Sequence, residues 1–176
     1  MDQKLTEMLA GPGAEWAAWV THLGEPQVAL PLLVVILGFR LGWRDAGRHL
    51  RRLCFAGLVL LVVVQGVKRT LDRPRPAAVL TGVSGLPGGH LTHHAFPSGH
   101  SAFAAFVGGA LMASPATGLW RAVVGLAVVA VGWSRIAIGA HWVSDVVVGL
   151  VLGFGLAFAA VGRHRRITRS GSGESG

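Results

Sequence analysis

A single cysteine, Cys54, lies within an apolar run, so an internal disulfide is excluded and the redox compartment is left open. Charge is also scarce: Asp, Glu, Lys and Arg make up 14% of the 176 residues, against roughly 25% in an average soluble domain. Acidic residues number eight, and lysine occurs twice beside fourteen arginines. The formal net charge of +8 does not read as a nucleic-acid footprint, because the basic residues fall between apolar runs without interleaved aromatics. No cleavable leader is expected either. The first 25 residues carry Asp2, Glu7, Glu15 and Glu25 and lack a continuous apolar core.

What is abundant is apolar. Hydrophobic residues reach 52% and the mean hydropathy is +0.55. The length admits one domain and hardly two. A soluble fold of this size would leave too much apolar surface uncovered, so a bilayer is the economical solvent. Five apolar stretches stand out, at about 26–42, 53–67, 99–114, 118–138 and 141–162. Several fall short of the ~20 residues that cross a hydrocarbon core comfortably, and the limiting charges include Lys68, Arg135, His141 and Asp145. Lipid leaves the edges of an open sheet unpaired, so these stretches are read as helices. The Gly108-Gly109-Ala110 run and the spacing of Gly149, Gly153 and Gly155 favour close helix packing.

The expected fold is therefore all-α: a polytopic membrane helix bundle of about five transmembrane helices with an N-terminal interfacial amphipathic segment. Residues 1–25 form that segment, because Leu5, Met8, Leu9, Trp16, Trp19 and Val20 are interrupted by Gly11-Pro12-Gly13. Residues 26–162 form the membrane domain, and 163–176 a basic, then disordered, tail.

Arginines set the orientation. Arg40, Arg44, Arg48, Arg51 and Arg52, then Arg121, then Arg163, Arg165, Arg166 and Arg169 share one side if five spans alternate, and the positive-inside rule makes that side cytoplasmic. Arg69, Arg73, Arg75 and Arg135 are left on the outer side, where basic residues need a reason.

Three clusters supply one. The first, Lys68-Arg-Thr-Leu-Asp-Arg-Pro-Arg-Pro76, leaves the second apolar stretch, and its prolines force an extended path. A lysine in an arginine-rich chain suits a phosphate oxygen as a compact charge; the competing reading is a headgroup-binding collar. The second is Pro97-Ser-Gly-His100. Ser98 is placed to cap a helix whose amides face an anion, Gly99 permits close approach, and His100 can donate a proton. The third holds Ser134, Arg135, His141 and Asp145. Four residues apart, His141 and Asp145 would share a helix face, where the carboxylate can orient the imidazole. Arg135 can reach the same pocket with its planar fork. His90, His93 and His94 lie in the loop between the second and third stretches without a carboxylate or cysteine beside them, and read as a polar loop near the headgroup rather than a metal site. The tryptophans read as packing and interface anchors.

Lys68-(six residues)-Arg75-Pro76, then Pro97-Ser-Gly-His100, then Ser134-Arg135-(five)-His141-(three)-Asp145 resembles the three-part signature of the type 2 phosphatidic acid phosphatases. All three parts match in order, across roughly residues 50–162, and only Arg75 gives the family's spacing from Lys68. Family members often have six spans, whereas five and an interfacial segment are expected here. The resemblance implies that His141 attacks phosphorus to give a phosphohistidine, that Asp145 orients it, and that His100 protonates the leaving oxygen. Lys68, Arg75, Ser98, Gly99 and Arg135 would hold the phosphate, with neither metal nor other cofactor required. The implied substrate is a lipid phosphate met at the extracytoplasmic face of the cell membrane. A polyprenyl diphosphate such as undecaprenyl diphosphate leads, with phosphatidate or phosphatidylglycerol phosphate as the alternative. A non-catalytic anionic-lipid binder is disfavoured because binding alone needs no proton donor, and a vanadate haloperoxidase because those proteins are soluble and larger. Oligomeric state is not readable from the sequence.

Overall fold

The computed structural model describes residues 1–10, 14–41, 43–81, 83, 92–114 and 117–170. The described residues are helical or irregular, with no strand among them. Two short helices, α1 (Asp2–Leu9) and α2 (Ala14–Thr21), precede a 3₁₀ turn at His22–Gly24. Then come α3 (Pro26–Leu41), α4 (Trp43–Thr70), the one-turn α5 (Pro76–Val79), α6 (Gly99–Ala113), α7 (Gly118–Ala137) and α8 (Val143–Ser170).

The five apolar stretches correspond to α3, α4, α6, α7 and α8. By length and composition, three segments suffice to cross a membrane: His49–Thr70, Gly118–Ala137 and Val143–Gly162. The other two, Pro26–Arg40 and Gly99–Ala113, are shorter. For α6 the reason is its position: Ser101 through Leu111 are all buried, so it is apolar all round and enclosed by protein rather than lipid. Phe106 and Leu60 are fully covered in the core shared by α3, α4, α6 and α8. Phe55, Leu126 and Val151 point outward, as a hydrocarbon solvent permits.

Glycine brings α6 and α8 into backbone contact. A Cβ at Gly149 would lie 2.6 Å from the Ser98 carbonyl, and one at Gly153 would collide with the Ala102 carbonyl. Gly155, grouped with them in the sequence, meets nothing within 4 Å and has no such role. The contact pins the N-terminal ends of both helices together, where Ser98 N–H donates to the Asp145 carbonyl at 3.0 Å.

Three expectations are refined. Helix α8 continues to Ser170, past the boundary expected at 162, and residues 171–176 lie outside the described residues. The N-terminal segment does form short helices, but α1 and α2 pack against α7 and α8 and are part of the folded unit. His141 is not on a helix. It sits in the turn before Val143, because Gly139, in the left-handed region at φ 64°, ends α7 and reverses the chain.

Candidate active site

Four helix ends meet at one end of the bundle: the C-terminal ends of α4 and α7 and the N-terminal ends of α6 and α8. Ser98 caps α6, accepting from the Ser101 amide at 3.5 Å and sharing a 2.9 Å hydroxyl contact with Ser101. The following amides open the helix, with its positive dipole end toward the site. Gly99 lies beside Lys68, whose Nζ is 3.9 Å from where a Cβ would stand.

His141 is almost wholly buried, at 1% exposure. The Arg135 carbonyl accepts from both the Ala140 and His141 amides at 3.1 Å, closing the turn that aims the ring inward. Its Nδ1 lies 2.6 Å from the Ala95 carbonyl. A carbonyl only accepts, so Nδ1 carries the hydrogen and Nε2 is left with its lone pair. Burial, helped by the nearby cations and opposed by Asp145, pushes the imidazole down to about 4, so the ring is neutral near pH 7.

Asp145 stands 3.9 Å from His141 Nδ1, too far for a hydrogen bond. The tautomer expected from a direct His–Asp contact is instead set by Ala95. The carboxylate is engaged elsewhere: one oxygen accepts from the Trp142 amide at 2.9 Å and the other from Arg73 Nη1 at 2.5 Å. The first contact is half of a capping box, the third helical residue reaching back to the N-cap amide.

Arg135 is buried at 5% exposure; its Nη1 donates to the Thr21 hydroxyl at 2.6 Å. Its Nε is also buried and has no hydrogen-bond partner. Lys68 lies within electrostatic reach of Arg75, Arg135 and Asp145. Burial, helped by Arg135, His141 and Lys68 and opposed by Glu25, pushes the His100 imidazole down to about 3, and only an anion beside it would favour its protonated form. Burial lowers the Arg75 guanidinium from its usual range, opposed by Asp145. Arg75 is held by the loop ahead of α6: its amide donates to the Thr92 carbonyl at 2.8 Å and its Nε to the His93 carbonyl at 3.0 Å. His93 and His94 turn outward. His93 Nδ1 is 3.0 Å from Asp72 Oδ1, and His94 Nδ1 is 2.8 Å from the Lys68 carbonyl. His90 lies outside the described residues.

All residues singled out in the three clusters thus gather at one end, except Ser134, whose hydroxyl donates back to the Val131 carbonyl at 2.7 Å. Several neighbours carried no signal in the sequence. Ala95 contributes only a carbonyl. Thr21 comes from the N-terminal segment, as does Gly24, which packs on the His100 backbone. Trp142, read as an anchor, is buried, donates to the Pro74 carbonyl at 2.8 Å and lies 5.2 Å beneath Arg73. Arg73 stood out in the sequence only as one of the outer-side arginines, with no partner to assign to it.

A helical bundle with a buried neutral histidine within reach of three cations fits the class of membrane phosphatases. The chain belongs to the PAP2 superfamily, whose model matches residues 49–169. It is 31% identical over 166 residues to phosphatidylglycerophosphatase B of Bacillus subtilis (strain 168), covering 85% of this chain and 74% of that protein. Among solved structures, Aquifex aeolicus LpxE superposes with a TM-score of 0.77 at 25% identity, covering 90% of this chain and 93% of that one. The first transmembrane PAP2 type phosphatidylglycerolphosphate phosphatase from Bacillus subtilis gives 0.72 at 28% identity, covering 96% and 86%. The chain is a membrane protein and a lipid phosphate hydrolase.

Proposed function

We propose that His141 Nε2 attacks the terminal phosphorus of a lipid phosphate at the extracytoplasmic face of the cell membrane. An Nε2–P bond forms as the bond from phosphorus to the lipid oxygen breaks, and His100 gives that oxygen its proton. Water then attacks phosphorus, His100 takes a proton from it, and the P–N bond breaks to release inorganic phosphate and neutral His141. Lys68, Arg75 and Arg135, with the first amides of α6, hold the phosphate oxygens and offset their charge as the transition state develops.

The 2.6 Å bond from His141 Nδ1 to the Ala95 carbonyl carries this reading, since it leaves the lone pair on the other nitrogen. The unpartnered buried Nε of Arg135 supports it: a buried guanidinium N–H without an acceptor suits an anion that arrives with the substrate. The outer location is supported by the arginine distribution. An apolar cleft of about 310 Å³ between α3, α4 and α6, walled by Leu30, Leu53, Leu61 and Phe103, suits a lipid chain.

The names of two relatives favour phosphatidylglycerol phosphate as the substrate. A polyprenyl diphosphate such as undecaprenyl diphosphate is the second reading, favoured by three cations at one site, which suit the greater charge of a diphosphate. Phosphate release in detergent, with chelator present, tests both against phosphatidate. Turnover by wild type and none by His141→Ala, with an acid-labile and base-stable phosphoenzyme, is the expected result. A wild type inert on all three lipids would overturn both substrate readings and point to a different lipid phosphate.

A further inference from the structure

Helix α1 lies against the start of α8 and supplies what that helix end lacks. The first amides of any α-helix have no partner within it. Here the Val143 amide donates to the Thr6 hydroxyl at 3.4 Å, and the Ser144 amide to Asp2 Oδ1 at 3.1 Å. The other Asp2 oxygen accepts from the Ser144 hydroxyl at 2.6 Å and from Arg73 Nη2 at 2.7 Å. Arg73 Nη1 donates to Asp145 Oδ1 and, at 2.8 Å, to the Ser144 hydroxyl. One planar guanidinium therefore spans two carboxylates, one in the N-terminal segment and one in the first turn of α8. Trp142 stacks beneath it and anchors to Pro74, fixing the height of the fork. Thr6 is fully buried and its hydroxyl also donates to the Asp2 carbonyl at 2.9 Å, which locks the shape of α1 at the contact.

We infer that Arg73 is a positioning residue, bridging Asp2 and Asp145, and that α1 thereby serves as a cap holding the α8 end of the active site. Arg73 bonds Asp145 Oδ1, whereas the oxygen nearer His141 is Oδ2. Arg75, two residues on, is the arginine within electrostatic reach of Lys68 and Arg135. The two arginines divide their labour accordingly: Arg73 donates to Asp145 and Asp2, whereas Arg75 Nε donates to the His93 carbonyl in the loop ahead of α6. Lysine cannot replace Arg73, because a single ammonium lacks the parallel donors that a fork offers to separated oxygens. The inference rests on the catalytic reading of His141 and Asp145 given above.

The test compares Asp2→Asn, Arg73→Gln, Arg73→Lys and the Asp2→Asn/Arg73→Gln pair with wild type in detergent, using one lipid phosphate throughout. Arg73→Gln is expected to lower kcat by about tenfold or more with KM within about twofold, the pattern of lost transition-state positioning. Asp2→Asn should lower kcat by about threefold or more, and the pair should be no slower than Arg73→Gln alone, as residues in one network are non-additive. Arg73→Lys should recover less than half of the lost rate. An increase in KM with unchanged kcat would make Arg73 a phosphate ligand and overturn the inference, as would wild-type kcat in Arg73→Gln or full additivity in the pair. If Arg73→Gln does not fold, Asp2→Asn decides alone: an unchanged kcat overturns the inference. His141→Ala separates the two levels. Turnover by that variant would remove the catalytic reading, whereas a dead His141→Ala beside a fully active Arg73→Gln removes only the role of Arg73.

Discussion

His141 and Ala95 are joined by a 2.6 Å hydrogen bond from an imidazole Nδ1–H to a backbone carbonyl, and no side-chain substitution at position 95 can remove that acceptor. Asp145, at 3.9 Å, supports the ring through charge and through the turn it caps. In serine proteases, where a carboxylate does set the tautomer, changing it to the amide costs about 10⁴ in kcat. A smaller loss is expected here: Asp145→Asn should reduce kcat by about 10²-fold, while His141→Ala abolishes turnover. Steady-state rates with equal folded protein would check this. A loss in Asp145→Asn as deep as that in His141→Ala would show that Asp145, not Ala95, fixes the tautomer.

Arg135 gives the second prediction. Its Nη1 is held by Thr21, and its Nε is buried without a partner. Arg135→Lys keeps charge but loses the fork, so kcat/KM should fall about 10²–10³-fold, the loss typical of removing one preorganised donor. Thr21→Val frees one guanidinium nitrogen and leaves it buried, costing about tenfold, equivalent to one unmade hydrogen bond. A Thr21→Val enzyme as slow as Arg135→Lys would mean that Thr21 itself touches substrate.

The three motifs were legible because each sits at the end of an apolar stretch, and alternation of stretches places those ends together. Lys68, Ser98, Arg135 and Asp145 could be assigned to one end on that ground alone. The hydrogen-bond partners could not. Ala95 acts through a carbonyl, which leaves no mark on residue type. Asp2 and Thr6 reach Ser144 and Val143 across most of the chain, a contact made by folding α1 back over α8 and invisible to local spacing. The helical relation expected for His141 and Asp145 failed for a local reason: Gly139 breaks α7 before the histidine, and α8 begins only after Trp142.

The pH dependence follows from His141. Its folded value is lowered to about 4 from an ordinary 6.5, chiefly by burial. Below pH 6.5 the unfolded chain takes up the proton first, so this group's contribution to stability is complete above that value and falls away as pH drops toward 4. Thermal unfolding in detergent should therefore move to lower temperature between those limits, and His141→Asn should flatten part of that slope. In kcat/KM, which reports free enzyme and free substrate, His141 stays competent down to about pH 4. An acid-side fall centred above pH 4 should then move with the ionisation of the lipid phosphate when the substrate is changed, whereas a fall on the alkaline side reports loss of the proton that His100 donates. If the acid limb stays near 6.5 for every substrate, His141 has an ordinary pKa and the burial argument fails.

Helix contact at α6 and α8 supplies the last prediction, because Gly153 and Gly155 share a helix and differ in what faces them. A methyl group at Gly153 would meet the Ala102 carbonyl and the Ala105 side chain, and backbone cannot swing aside as a flexible side chain can. Gly153→Ala should therefore destabilise by about 1–3 kcal/mol, the usual cost of overpacking, or more. Since the same contact aligns Ser98 with Asp145, kcat should fall in whatever protein still folds. At Gly155 nothing lies within 4 Å. Gly155→Ala should leave activity unchanged and raise stability by up to about 1 kcal/mol, the helix-propensity difference between the two residues. Thermal unfolding of the two variants side by side decides the point, since both remove one helical glycine and only one introduces a clash. Equal unfolding temperatures would mean that α6 and α8 are free to move apart, and that the tie between Ser98 and Asp145 is maintained by the loop before α6 alone.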